Sequence, residues 1–139
     1  MGKTLRPLVA TLLLSAISSA VPELDLLHGR RLFSGEEPLS GTILGHKSTL
    51  PPAAAKCTNC HSSGDEPLAQ SLGPLLNRRS LTEMQSRRGA PPSRYTEATF
   101  CRILRTGVDP AYIFIAQEMP RYVIDDSRCR DLWAYLSRE

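Results

Sequence analysis

The chain has 139 residues, 17 Lys and Arg against 14 Asp and Glu, and a formal net charge of +3 at pH 7. That length suits one small domain, and so small a charge excess makes no case for nucleic acid as a partner. Three Phe, four Tyr and one Trp leave little aromatic bulk for a core, a shortage that a buried apolar cofactor would fill.

Residues 1–20 read as a removable secretory signal. Lys3 and Arg6 form the basic end, Leu8 to Ile17 the apolar stretch, and Ser18-Ser19-Ala20 the small residues that a signal peptidase reads. The apolar stretch is about half of the roughly 20 residues needed to span a bilayer. No cysteine lies near the cut to carry a lipid, and no other run is apolar enough to cross a membrane, so no stable insertion is expected after cleavage. The mature domain is 21–139, and losing Lys3 and Arg6 lowers its formal charge from +3 to +1.

Pro22 to Ser34 predicts a helix, with Pro22, Glu23 and Asp25 suited to its first turn. Leu26, Gly29 and Phe33 share one face, and Gly29 is explained if a partner helix approaches there. Residues 35–56, rich in Gly, Pro, Ser and Thr, predict an irregular excursion.

Cys57-Thr58-Asn59-Cys60-His61 follows. In an exported protein this is the attachment signature of a c-type haem. Two cysteines three positions apart can each form a thioether to one vinyl group of the same porphyrin, and His61 can bind its iron from the proximal side. Zinc is the rival, with Cys101 or Cys129 completing a Cys₃His set, although adjacent Cys60 and His61 close one tetrahedron awkwardly. A thioredoxin-like pair lacks the surrounding βαβ pattern.

Beyond the motif, Gly73-Pro74-Leu75 predicts a turn, Leu81 to Arg87 a short helix, and Gly89-Ala90-Pro91-Pro92 a break. Thr96 to Thr106 predicts a helix with Phe100, Ile103 and Leu104 on one side and Gly107 stopping it. Asp125 caps a last helix in which Cys129, Leu132, Trp133 and Leu136 fall at i, i+3, i+4 and i+7. Several helices, no credible hairpin and no internal repeat predict an all-α domain. Cys101 and Cys129 are the cysteines outside the motif. In an oxidising compartment they form a disulfide worth roughly 3 kcal/mol through loop closure, or are two small buried residues that never meet.

Iron bound by His61 can take a sixth ligand. Met119 precedes Pro120, which biases it toward an extended loop backbone, and it lies 58 positions past His61, enough chain to reach the far face. Met84 is only 23 positions on, in an Arg-rich segment. His28 and His46 are the alternatives for a second imidazole, and His46, in the excursion, is the stronger rival.

These motifs together resemble the class I, monohaem cytochromes c over most of the mature chain. Gly29-Arg30-Arg31-Leu32-Phe33 is similar to the Gly-x-x-x-Phe/Tyr of that family's first helix, and Gly73-Pro74-Leu75 to its Gly-Pro-x-Leu turn. Met119-Pro120 resembles its methionine loop, and Leu132-Trp133-Ala134-Tyr135-Leu136 its last helix, which crosses the first. Phe100 to Pro110, Met119 to Tyr122 and Cys129 resemble a set of bacterial periplasmic cytochromes more closely, which makes the Cys101–Cys129 pairing more plausible as a unit. The resemblance implies a compact helical domain wrapped around one covalent haem c per chain. Cys57 and Cys60 would hold the porphyrin, His61 and Met119 the iron, and the Pro74 carbonyl would take the Nδ1 proton of His61. The 24 positions between Phe33 and Cys57 depart from compact members, where the first helix runs almost directly into the motif.

The expected function is one-electron transfer in the periplasm, not enzymatic turnover. The alternative is a haem-based sensor or haem enzyme subunit with a labile distal ligand. Arg78, Arg79, Arg87, Arg88 and Arg94 form either a basic rim that steers an acidic redox partner or an ordinary solvated face.

Overall fold

Glu23 and Asp25 sit in the first turn of α1 (Pro22–Ser34), where their charge meets the positive end of the helix dipole. The computed structural model describes residues 22–64 and 71–138, so the predicted signal at 1–20 lies outside the described residues. After α1 come β1 (Ser40–Thr42), one 3₁₀ turn (Cys57–Asn59), α2 (Arg78–Thr82), α3 (Glu97–Thr106), β2 (Arg121–Val123) and α4 (Asp126–Leu136). No helix among the described residues is long and apolar enough to cross a membrane.

The three longer helices begin and end where their chemistry dictates. Thr96 and Thr99 cap α3 reciprocally, and Gly107 closes it at φ 73°, the left-handed conformation in which glycine carries no Cβ penalty. Asp125 Oδ1 accepts the Arg128 amide at 2.9 Å and starts α4. α4 packs on α1, and Gly29 is where they meet: a Cβ there would overlap the Asp131 carbonyl and the Tyr135 Cβ. Leu32, Leu132 and Leu136 are fully buried in this contact, and each removes apolar surface worth about 1.5–3 kcal/mol. α3 packs on α4 through Phe100 and Trp133, with ring centroids 5.4 Å apart, and the Cys101–Cys129 disulfide joins the two helices across a Cα separation of 5.9 Å.

The domain is helical but not all-α. β1 and β2 form an antiparallel pair with Ser40 opposite Val123, Gly41 opposite Tyr122 and Thr42 opposite Arg121. Three-residue strands leave no alternation to read, and their partner lies some 80 positions away. Gly41 passes so close that a Cβ would sit 3.1 Å from Pro120 and 3.2 Å from the Tyr122 ring. The excursion at 35–56 therefore holds a strand. The short helix also differs: it covers Arg78–Thr82, not 81–87, because Asn77 and Ser80 cap each other and start it early. From Glu83 the chain is extended, and Gln85 pairs with Ser93 through two 3.0 Å backbone hydrogen bonds.

His28 fastens the excursion to both helices. Its Nδ1–H donates to Asp131 Oδ2 at 2.5 Å and its Nε2–H to Glu37 Oε2 at 3.0 Å, while Arg128 pairs with Glu37 from the other side at 3.2 Å. An imidazole with a carboxylate on each nitrogen is an imidazolium. Its pKa is raised, chiefly by Glu37 and then by Asp131, and that of Glu37 is lowered, chiefly by His28. The stabilisation from His28 is complete below its ordinary 6.5 and is lost as pH rises through the raised value; that from Glu37 is lost as pH falls through its depressed one. Melting temperatures should thus be highest in mildly acidic buffer and decline above neutrality. His28→Asn should flatten that decline, and a His28→Asn melting profile parallel to the parent's would refute the assignment.

Candidate functional site

The Cys57–His61 segment winds through a single turn. The Cys57 carbonyl accepts the amides of Cys60 at 3.1 Å and His61 at 2.9 Å, and Asn59 Nδ2 donates to the Ala53 carbonyl at 2.8 Å. The chain then doubles back: the Cys60 carbonyl accepts the Gly73 amide at 2.8 Å and the Ser71 hydroxyl at 2.7 Å. This return brings Pro74 to His61, whose Nδ1–H donates to the Pro74 carbonyl at 2.8 Å. A carbonyl can only accept, so Nδ1 carries the proton and Nε2 keeps its lone pair. Gly73 lies against the imidazole, and a Cβ there would overlap the ring. Burial pulls the His61 pKa below its ordinary value, with Pro74 pulling the other way, which favours neutral imidazole.

Cys57 and Cys60 are free thiols, the first buried and the second half-buried. Burial pushes the Cys57 thiol up to about 11. Tyr122 donates its hydroxyl to the Ala55 carbonyl at 2.9 Å, and that hydroxyl is within hydrogen-bond reach of the Cys57 sulfur. Burial and that thiol push the Tyr122 phenol far above its ordinary range. In the sequence Tyr122 stands out only as the last residue of the Met119–Tyr122 motif. An aromatic residue three positions after Met119 was the available signal for its place beside the cysteines.

Met119 sits half-buried in the loop before β2 and packs against the core cluster that contains Cys57, Leu81, Phe100 and Tyr122. The other candidates for the iron's far side are differently placed. Met84 is 60% exposed, His28 has both nitrogens occupied, and His46 is exposed on the turn after β1. Cys101 and Cys129, the thiols that a Cys₃His zinc set would draw on, are joined to each other. Among the described residues no three His, Cys, Asp or Glu side chains gather as a metal cluster.

Two members of the arginine run are internal fasteners. Arg87 donates to the carbonyls of Ser80, Gln85 and Ser93 and stacks over Tyr95 at 5.1 Å. Arg88, at φ 50°, pairs with Asp109, which is completely buried. Arg79 pairs with Glu83 at 3.4 Å, which leaves Arg78 and Arg94 exposed and without an ion pair among the described residues. A spacing rule cannot separate these roles, because Arg87 and Arg88 are captured by backbone and by a residue some 20 positions later.

Comparison with known protein families, with curated proteins and with solved structures finds no match for this chain.

Proposed function

We propose that this protein is a periplasmic electron carrier holding one haem c through Cys57 and Cys60. His61 would bind the iron on the proximal side and Met119 on the distal side. The observation that carries the reading is the His61–Pro74 hydrogen bond at 2.8 Å. It fixes the tautomer that offers Nε2 to a metal and holds the ring one turn from two thiols. The disulfide supports it as well, by leaving Cys57 and Cys60 as the two free cysteines.

Bound there, the haem would supply an iron that exchanges one electron between Fe(II) and Fe(III). The chain's own residues do the rest. Pro74 orients His61 and raises its basicity. Tyr122 and the apolar cluster around Cys57 would keep water from the bound group. Met119, a thioether, favours the ferrous state relative to a second imidazole. With His61 and Met119 both holding the iron, no ligand site would be left for a substrate, so the reading is a carrier, not an enzyme. Its partner would be a periplasmic redox protein, with Arg78 and Arg94 as the exposed basic residues available to an acidic face.

The ferric protein should show the weak near-infrared charge-transfer band of methionine ligation, and the ferrous protein should not bind carbon monoxide. Met119→Ala should remove the band and open the iron to carbon monoxide or cyanide. If Met119→Ala leaves both unchanged while His46→Ala alters them, His46 is the ligand. Ready carbon monoxide binding by the unaltered protein would instead favour the sensor or enzyme-subunit alternative.

A further inference from the structure

Two aromatic side chains face solvent in a chain that has only three Phe, four Tyr and one Trp. Tyr112 is 76% exposed and Phe114 is 68% exposed, whereas the others are all buried or half-buried. Both belong to the loop 108–114, which the fold holds fixed. Val108 and Phe114 form an isolated bridge across its mouth. The Asp109 amide donates to the Ile113 carbonyl at 3.0 Å, and the Ile115 amide to the Gly107 carbonyl at 2.9 Å. Inside the loop, Asp109 Oδ1 accepts the amides of Ala111 and Ile113. These bonds hold Tyr112 at φ 62°, a left-handed backbone that a bulky side chain seldom adopts. Such strain persists only where the surroundings over-determine it, and it clusters at sites that bind or switch. A ring on a loop already fixed loses little freedom on contact, which is what makes tyrosine a good interface anchor.

Charge narrows the occupant. Arg102 stacks over Tyr112 at 4.4 Å and donates to the Asp109 carbonyl, and Arg87 stacks over Tyr95 at 5.1 Å. Neither has a carboxylate within ion-pair distance among the described residues. Arg88 reaches both Asp109 and the Tyr95 hydroxyl. Three guanidiniums thus surround one carboxylate, and that carboxylate is completely buried. Glu118 is the one exposed acid of residues 107–124, so the rings stand in cationic surroundings. We infer that the 108–114 loop docks a second protein, one whose surface offers an apolar cleft rimmed by carboxylates. Tyr112 and Phe114 enter the cleft, and Arg88 and Arg102 face its rim. The contact needs no haem, so it goes beyond the electron carrier proposed above, and it uses residues other than Arg78 and Arg94. A lipid surface also accepts aromatic rings, but it has no use for a loop fixed in one strained conformation.

The test places the photo-crosslinker p-benzoylphenylalanine at Phe114 of the full chain, produced in its own cells. Val123, 75% exposed on β2, takes the same probe as the control. Ultraviolet light should link the probe at Phe114, and not the probe at Val123, to one protein. That protein is identified, purified and titrated with the parent chain and with the Y112N/F114S variant. Asparagine tolerates the left-handed backbone and neither side chain is buried, so the variant should melt with the parent. Its affinity should fall by at least about tenfold. The parent's association rate should drop as salt rises, with a shallower slope in R102Q. Equal capture from the two positions, no capture from Phe114, or capture of a second copy of this chain overturns the inference. So does a smaller loss of affinity in Y112N/F114S, or an association rate indifferent to salt. Cosedimentation with phosphatidylglycerol vesicles that Y112N/F114S abolishes assigns the loop to a membrane and overturns it too. If Y112N/F114S melts early, F114S alone, which leaves the Tyr112 backbone untouched, is held to the same tenfold loss. Haem is measured on the same samples: a haem-free chain that still docks through this loop would defeat the electron carrier and leave the docking inference standing.

Discussion

Haem should stay with the polypeptide through acid–acetone extraction when the chain is produced in a host that exports it and attaches haem. Thioethers are carbon–sulfur bonds, and acid that breaks an axial ligand leaves them intact. Cys57→Ala combined with Cys60→Ala should release essentially all of the haem into the acetone. Each single variant should keep one thioether and show a shifted haemochrome band. His61→Ala removes a ligand without removing a thioether, so its haem should remain attached while its spectrum changes. The contrast separates attachment from ligation in one set of samples. Free haem from the unaltered protein, or zinc near one per chain, would sink the reading.

Asp109→Ala should cost about 3–5 kcal/mol of unfolding free energy, measured by urea titration of the holoprotein. Asp109 is completely buried, and its Oδ1 accepts the amides of Ala111 and Ile113, each at 2.9 Å, while Oδ2 accepts Arg88. The backbone converges there as well. Arg102 donates to the Asp109 carbonyl at 2.7 Å and stacks over Tyr112 at 4.4 Å, with Tyr112 itself at φ 62°. Removing the carboxylate orphans two part-buried amides in a turn that already holds a non-glycine residue in the left-handed region. Asp109→Asn keeps one acceptor oxygen for those amides and forfeits the charge facing Arg88, so its cost should be clearly smaller. Equal losses from Asn and Ala would mean that the ion pair, not the turn, dominates. A loss below about 1 kcal/mol for Ala would mean that neither matters.

The elements legible in the sequence were those whose signals are local. α1, α3 and α4 announce themselves by caps and by apolar faces at helical spacing, and Gly29 by its cost within a helix. The Cys57–His61 turn is five consecutive residues. What escaped was set by distant partners. The β1–β2 pair joins three-residue segments with no pattern of their own, and α2 was misplaced because the Asn77–Ser80 cap is weaker as a signal than Leu81 and its neighbours. His28 stands in the sequence as an alternative second imidazole, whereas Glu37 and Asp131 occupy its two nitrogens. Charge counting grouped Arg87 and Arg88 with exposed arginines, whereas burial of Asp109 and the carbonyls around Arg87 decides their roles.

The excursion before Cys57 is stapled at intervals to the part of the chain that follows Met119. Pro38 accepts from Arg128 at 3.0 Å, Ser40–Thr42 pairs with Arg121–Val123, Leu50 returns to Gly41 at 2.8 Å, and Ala55 accepts from Tyr122 at 2.9 Å. In the language of local unfolding, these two stretches form one cooperative unit, because neither can open without breaking the bonds of the other. Swinging the methionine loop outward would therefore strip a strand from residues 40–42 and loosen the segment leading into Cys57. If Met119 holds an iron as proposed, that bond would open only at the free-energy cost of the whole unit. The residues between α1 and Cys57 thus act as a belt on the Met119 loop, and part of its tension is set as far away as Pro38 and Arg128.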